Sequence, residues 1–367
     1  MKSEKIGYVE AVALLVIVLI NKVILVLPKE IIANTGSAAW INVLYLSILA
    51  VLLAWFISHL FKRFQGYDIL DACEFVGGPS LKTVVGVLYI FLLMLVPIFV
   101  LKNSAETLKI IYFRKSPLIF ILLFFLVGST LANRLSLKVL TKVNLLLMPL
   151  TFLAIPVILI ASAKDFSFRS IFPILGYGVN ETFFSSFTNF SSFSGIGYLF
   201  LLNPFLEKPD KFKKISIVST IICGIYLFFT VTCILLSLSY SFKTGESFSL
   251  YLLTRNLDYG RFLRRIDAVF ILIWIISIII YISLAIYFSI YIFQKITKIS
   301  DTSSINYTFN LLALAVLLIP VSLVTFLNTV SIIFRYASIT VLFIISGLIM
   351  IWANLKLKHI NKMKGKT

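Results

Sequence analysis

Long apolar runs alternate with short polar, charged or Gly/Pro/Asn-rich breaks along the whole chain. Ten runs are long enough to matter: Tyr8 to Ile32, Trp40 to Phe61, Thr83 to Leu101, Pro117 to Ala132, Val143 to Ala163, Thr182 to Phe205, Ile215 to Tyr240, Ile266 to Phe293, Tyr307 to Leu327 and Ser331 to Leu355. A helix of roughly 20 mostly apolar residues crosses the ~30 Å hydrocarbon core of a bilayer, so each run predicts a transmembrane helix. Two of the ten are interrupted at matching places. Run one carries Asn21 and Lys22 in its interior, and run six contains SSFTNFSSFSGIGYLFLLNPFLEK. In both, a polar or Gly-rich break is followed by a proline and then by charged residues. That pairing predicts an inverted repeat of five plus five helices with helices one and six unwound near the membrane centre. The expected architecture is an all-α integral membrane protein. A single transmembrane domain covers 1–367, with repeat one at about 6–165, repeat two at about 170–357, and a short basic tail over 358–367.

Composition agrees with lipid as the solvent. The chain is 60% hydrophobic and only 13% charged, against about 25% charged in an ordinary soluble domain. Lys2 and Lys5 before an apolar run resemble the start of a signal peptide, but Glu10, Lys22 and the length of the run favour an uncleaved span. With the N-terminus inside, nineteen of the 33 Lys and Arg residues fall on the inner side, twelve on the outer side, and Lys22 and Arg335 within spans. This bias predicts that both termini are cytoplasmic, although the segment from Thr244 to Arg265 is basic on the outer side. The net charge of +18 is scattered over span ends. It reads as topology determinants and partners for anionic membrane lipids, not as a nucleic-acid surface.

Catalytic chemistry leaves little trace. His59 and His359 lie far apart at span ends, and Cys73, Cys223 and Cys233 form neither a disulfide framework nor a metal-ligand pattern. The GYG at Gly176 and the GIG at Gly195 lack the strand and basic residue of a phosphate loop. No enzyme activity, metal or cofactor is expected.

Run six invites a closer reading. At 100° per residue Phe183, Phe187 and Phe190 share one stripe, while Ser185, Thr188, Asn189 and Ser192 gather opposite. The polar face has two readings, glue between helices or the wall of an aqueous cavity. The glycines that follow let the backbone leave helical geometry, which at membrane depth is tolerated only in protein or along a cavity. Lys22 is likewise open to two readings: its ammonium snorkels to the outer interface, or it faces a cavity and meets an anionic ligand group.

The first-span break followed by VLPKE, the inner DILDACEFVGGPSLKTVVGVLYIF, the outer FRSIFPILGYGV, the LFLLNPFLEKPDK after span six and the RRIDAVFILIWIISIIIYISLAIYF of span eight together resemble the spore germination permease family. These are the B subunits of spore germinant receptors, within the amino acid, polyamine and organocation superfamily. The resemblance implies a protein of the spore inner membrane or cell membrane that works with an A subunit and a lipoprotein C subunit. It would sense a small germinant such as an amino acid and trigger germination. An ion- or proton-coupled amino acid transporter is the alternative, because one scaffold serves both. The implied pocket uses Asn21, Lys22, Val23, Ser192, Phe193, Ser194 and Gly195, with Pro97, Ser277 and Tyr281 closing it. Relatives usually carry glycines where this chain has Asn21-Lys22-Val23, which would hand the capture of a ligand carboxylate to the Lys22 side chain.

Lys22→Met tests that role, since it keeps length and removes charge. A charge-assisted contact is worth about 1.5 to 3 kcal/mol, so the midpoint of germination rate against ligand concentration should rise roughly ten- to a hundredfold. An unchanged midpoint at matched protein level would leave Lys22 snorkelling.

Overall fold

The computed structural model describes residues 5–25, 27–237, 266–319 and 321–364. Within them the chain forms α1 (Tyr8–Leu25), α2 (Leu27–Thr35), α3 (Ala39–Leu60), α4 (Ile69–Ile111), α5 (Leu118–Ala132) and α6 (Leu137–Ala161). The second half holds α7 (Val179–Phe183), a 3₁₀ segment (Ser185–Tyr198), α8 (Leu199–Leu202), α9 (Phe212–Ser237) and α10 (Ile266–Thr297). It ends with α11 (Thr302–Leu317), α12 (Leu323–Ala337), a π-helical segment (Ser338–Ile345) and α13 (Ser346–Lys364). Among the described residues, five helical stretches are long and apolar enough to cross a membrane: Glu30–Arg63, Ile69–Ile111, Pro209–Ser237, Ile271–Thr297 and Thr329–Asn361. Shorter apolar helices run over Tyr8–Asn21 and Leu118–Ala132. The basic outer segment up to Arg265 and the side chains of Lys22 and Val23 lie outside the described residues.

Two boundaries differ from the pattern-based expectation. Run nine ends at Leu317, and Ser322 starts a new helix by accepting the Thr325 amide on its hydroxyl. The last three helical pieces, α12, the π segment and α13, then follow one another without a gap. Run three is only the core of α4, which begins fourteen residues earlier and bends at Gly78, whose φ of 74° suits glycine alone.

α1 lies at the centre of the bundle. Every residue from Ala11 to Asn21 is buried, enclosed by α6, α9, α10 and the 3₁₀ segment. The lipid-facing surface is carried by helices such as α3, where Ile48 and Leu52 are exposed.

The two ends of the described chain, near Ile6 and Lys356, lie on one face, which is laced together by backbone and charge. The Ile6 amide donates to Phe205 O at 2.8 Å and the Glu207 amide to Ile6 O at 3.0 Å, so the chain entering α1 is strapped to the chain leaving span six. Asn203 donates to Phe64 O at 2.8 Å, and Asn354 donates to Leu60 O at 3.0 Å. The loop between α3 and α4 is therefore a hub. It ends in Asp68, which caps α4 reciprocally with Asp71. Lys295 from α10 lies 2.7 Å from a carboxylate oxygen of each aspartate, and the Tyr291 hydroxyl donates to Asp68 at 2.6 Å.

Asp68 has a fully buried side chain, and burial holds its carboxyl above the ordinary range even though Lys295 pulls the other way. The sign of the stability effect follows. Below the ordinary carboxylate range Asp68 is protonated in both states; as pH climbs past it, the unfolded chain loses this proton while the native chain retains it, so stability falls until pH passes the raised native value. Asp68→Asn keeps a capping oxygen and should flatten that slope. The check is thermal unfolding of the detergent-solubilised full-length protein across pH; an unchanged slope would remove Asp68 as its source.

Candidate functional site

The FSSFTNFSSFSGI stretch places an apolar residue at every third position, Phe184, Phe187, Phe190, Phe193 and Ile196. That is the period of a 3₁₀ helix, in which residues three apart eclipse. The structure forms such a helix over fourteen residues, Ser185–Tyr198, where runs longer than three or four are uncommon. Phe187 and Phe190 stack with centroids 5.5 Å apart, and Phe193 follows 6.2 Å from Phe190. The 100° reading is thereby corrected. Phe183 leaves the stripe and packs edge-on against Tyr45. The polar positions hold the segment to its neighbours and to itself. Asn34 donates to Asn189, Asn189 to Asn42, and Asn42 to Thr182 O, while the Ser192 hydroxyl returns to Asn189 O. Asn189 glues the segment to α2 and α3, whereas Ser192 bonds back to its own helix.

The two glycines at the end of the segment allow close approach on two sides. A Cβ on Gly195 would lie 2.8 Å from Leu19 Cδ2 of α1, and one on Gly197 would lie 2.7 Å from Leu342 Cδ1 of the π segment. Phe190 meets Phe343 of that segment at 5.2 Å. Two rare helical geometries, 3₁₀ and π, thus face each other.

A central cavity of about 20 Å³ opens at this junction, room for one water molecule. Its wall is Tyr89, Leu92, Leu93 and Val96 of α4, Ser194, Gly195, Gly197 and Tyr198 of the 3₁₀ segment, Leu201, Tyr281 of α10, and Phe334 and Leu342. Of the residues expected at a site, Ser194, Gly195 and Tyr281 are brought together here. Pro97 is buried one residue past the wall on α4, and Ser192 and Phe193 are buried on the preceding turn of the 3₁₀ segment.

Asn21 and Ser277 are not on that wall. Asn21 donates to Ser277 Oγ at 2.9 Å and to Ile17 O at 3.0 Å, and the Ser277 hydroxyl can return a bond to Asn21 Oδ1 at 3.1 Å. Ser277 borders a second cavity of about 20 Å³ between α1, α6 and α10, with Asn144 and Thr151. Because its amide is satisfied in this way, Asn21 does not break the helix. α1 runs through Asn21, Lys22 and Val23 to Leu25, and α2 starts at Leu27. The backbone of span one is therefore helical through Asn21-Lys22-Val23 as far as Leu25. On the face opposite those chain ends, Glu30 of span one pairs with Arg335 of α12 at 2.7 Å.

Tyr89 and Tyr198 were not anticipated. Ser346 gives its proton to Val341 O at 2.8 Å, so in the 2.6 Å contact between Tyr89 and Ser346 the phenol is the donor. The Tyr198 hydroxyl has no partner among the described protein atoms, a deficit worth about 1 to 3 kcal/mol for a buried polar group. Their signal in the sequence was a hydroxyl inside VVGVLYIFLL and inside GIGYLFLL. Among the described residues no cluster of three or more His, Cys, Asp or Glu could hold a metal.

Residues 5–320 match the family described as "Spore germination protein". The chain belongs to this family. Two relatives from Bacillus subtilis (strain 168) agree: spore germination protein KB is 22% identical over 281 residues, covering 76% of this chain and 74% of that protein, and spore germination protein YndE is 20% identical over 278 residues, covering 75% and 77%. Among solved structures, MhsT in complex with L-phenylalanine superposes with a TM-score of 0.66 at 14% identity, covering 95% of this chain and 89% of that one. Mhp1, a nucleobase-cation-symport-1 family transporter with bromovinylhydantoin bound, gives 0.64 at 11% identity, covering 95% and 78%. The likeness establishes the fold of the family member: an all-α membrane protein built as a five-plus-five inverted repeat with helices one and six interrupted.

The pairing of Asn21 with Ser277 can be weighed by a double-mutant cycle. Asn21→Val should cost about 1 to 2 kcal/mol, and Ser277→Ala should cost less in its presence than alone, with a coupling of about 0.5 to 1.5 kcal/mol. Unfolding of the purified protein in detergent measures it; strict additivity would mean the pair is not formed.

Proposed function

We propose that this protein is the germinant-sensing membrane subunit of a spore germination receptor, binding a small molecule such as an amino acid in the central cavity. The observation that carries the reading is the place of that cavity, where the 3₁₀ segment of span six meets the π segment after α12. Both geometries are marginal and common at functional hinges. A ligand larger than one water must push these walls apart. If the fourteen 3₁₀ residues relaxed toward α geometry, the segment would shorten by about 7 Å, from 2.0 to 1.5 Å per residue. A displacement of that size at the end of span six would reach the strap between Phe205, Glu207 and Ile6, and so a partner on that face.

The proposed setting is the spore inner membrane with both termini cytoplasmic, in a complex with A and C subunits. Asn21, Lys22 and Val23 are kept in the proposal as the contribution of span one. The two solved relatives in fold support a small-molecule ligand, since one holds L-phenylalanine and the other bromovinylhydantoin.

Proton-coupled transport of an amino acid is the second reading, and Asp68 favours it. This buried carboxylate bonds to Lys295 and Tyr291 of α10, and because burial favours its protonated form, giving up a proton there would loosen the closed face.

Spores lacking this protein should lose germination in response to at least one compound in a panel of amino acids and nucleosides, while vesicles containing the purified protein should show no uptake of that compound. Uptake that collapses with the proton gradient, alongside normal germination of the null strain, would replace the receptor reading with the transporter.

A further inference from the structure

α3 and α9 lie side by side in opposite directions. Phe61 meets Phe212 with ring centroids 5.4 Å apart, and Ser47 meets Gly224, where an added Cβ would lie 2.9 Å from that of the serine. The close approach at Gly224 leaves larger side chains standing clear on either side. Ile48, Leu52, Ile221 and Ile225 are exposed and frame a groove of about 310 Å³ on the outside of the bundle. No charged side chain lines it, and the hydroxyl of Thr220 on its wall is turned back to Ser216 O. Beyond Leu52 the α3 stripe continues at Trp55, His59 and Lys62, the three- and four-residue spacing of one helix face. Trp55 and His59 stack there with rings 5.8 Å apart. Leu52 precedes Phe61 by nine residues, about 14 Å along a helix, which matches the ~15 Å from a surface of the hydrocarbon core to its midplane.

The stripe ends in positive charge. Lys62 and Arg63 follow Phe61, Lys213 follows Phe212, and all three are exposed. The ion pairs among the described residues engage Lys82, Lys102, Lys138, Lys295 and Arg335 and leave these three aside. Lys211 and Lys214 add charge close by, their ammonium groups 5.7 and 5.6 Å from the Tyr8 ring centroid, and Asp210 is the one carboxylate among residues 208–214. We infer that the seam between α3 and α9 binds an anionic glycerophospholipid, with its phosphate at Lys62, Arg63 and Lys213 and one acyl chain running past Trp55 into the groove. A groove on the lipid-facing side of a bundle is covered either by an acyl chain or by another helix, and the charge at its end decides between them. A headgroup phosphate at that face meets three cations, and the chain attached to it enters the groove at the depth where the groove begins. The apolar groove alone would take any lipid; the basic end selects an anionic one. The site lies on the outside of the bundle and is independent of what the central cavity holds.

The test is native mass spectrometry of the full-length protein released from detergent after addition of equal amounts of phosphatidylglycerol and phosphatidylcholine with identical acyl chains. The wild type should retain phosphatidylglycerol in preference to phosphatidylcholine. The triple variant Lys62→Gln/Arg63→Gln/Lys213→Gln alters exposed side chains only, so the fold is kept, and it should lower retention of phosphatidylglycerol about ten- to a hundredfold, to the level of phosphatidylcholine. Ile225→Trp fills the groove from an exposed position and should lower retention of both lipids, while the unfolding temperature of the delipidated protein stays the same. Equal retention of the two lipids by the wild type, or undiminished phosphatidylglycerol on the triple variant, overturns the headgroup site. Undiminished retention by Ile225→Trp overturns the place of the chain. Glycerol 3-phosphate held as strongly as the whole lipid would make this a site for free phosphate, and a wild-type dimer that Ile225→Trp dissociates would give the groove to a second copy of this chain; either result overturns the lipid.

Discussion

Inside a bilayer every backbone N-H and C=O must find its partner within the protein, and that constraint organises this molecule. Continuous α-helices meet it locally, which is why the apolar runs translate so directly into helices. Span six meets it differently, by fourteen residues of 3₁₀ helix, and this geometry is tolerable only because the segment is enclosed. Residues from Asn189 to Asn203 are buried without exception. α1 presses on Gly195 and the π segment on Gly197, and the asparagines at 34, 42 and 189 tie the segment to α2 and α3. The cavity is a by-product of that enclosure, since two tight helical forms of unequal pitch cannot fill the space between them as two α-helices would.

The same enclosure explains why the cavity is small. On the face bearing the described chain ends, the Ile6 strap, the Asn203 bonds to the loop after α3 and the Asp68–Lys295 contact hold span one, span six and α10 in one arrangement. On the opposite face, Glu30 and Arg335 join span one to α12. Both closures engage the interrupted spans or the helices around them, so a change in either span must disturb a polar contact at a face. Ligand size, wall movement and a signal at the surface are therefore physically coupled, whether the signal is passed to a partner or used to open the other side.

Much of this was legible in the sequence, and the misses have physical reasons. The runs from Trp40 to Phe61 and from Pro117 to Ala132 matched α3 and α5 closely because lipid-facing helices are defined by length and apolarity alone. The break in span six was legible in its glycines, but its geometry was misjudged by imposing 3.6 residues per turn on a stretch whose phenylalanines recur every third position. Asn21 looked like a helix breaker. Its amide is instead absorbed by Ile17 and Ser277, a partner 256 residues away that no local pattern reveals. Asp68 carries no local signal for the same reason, its partners being on α10. Tyr198 was hidden because a tyrosine among apolar residues reads as core until its hydroxyl is seen to lack a partner.

The central position of the ligand is tested most directly by photolabelling. The full-length protein in nanodiscs would be irradiated with a diazirine analogue of leucine, in the presence and absence of excess L-leucine, and the labelled peptides identified by mass spectrometry. The expected result is label that excess L-leucine removes, confined to Tyr89–Val96, Ser194–Leu201, the turn of α10 around Tyr281 and the region from Phe334 to Leu342. Competed label that falls on the lipid-facing surface of α3 and α9, with none in those four segments, would contradict a ligand site at the junction of the 3₁₀ and π helices.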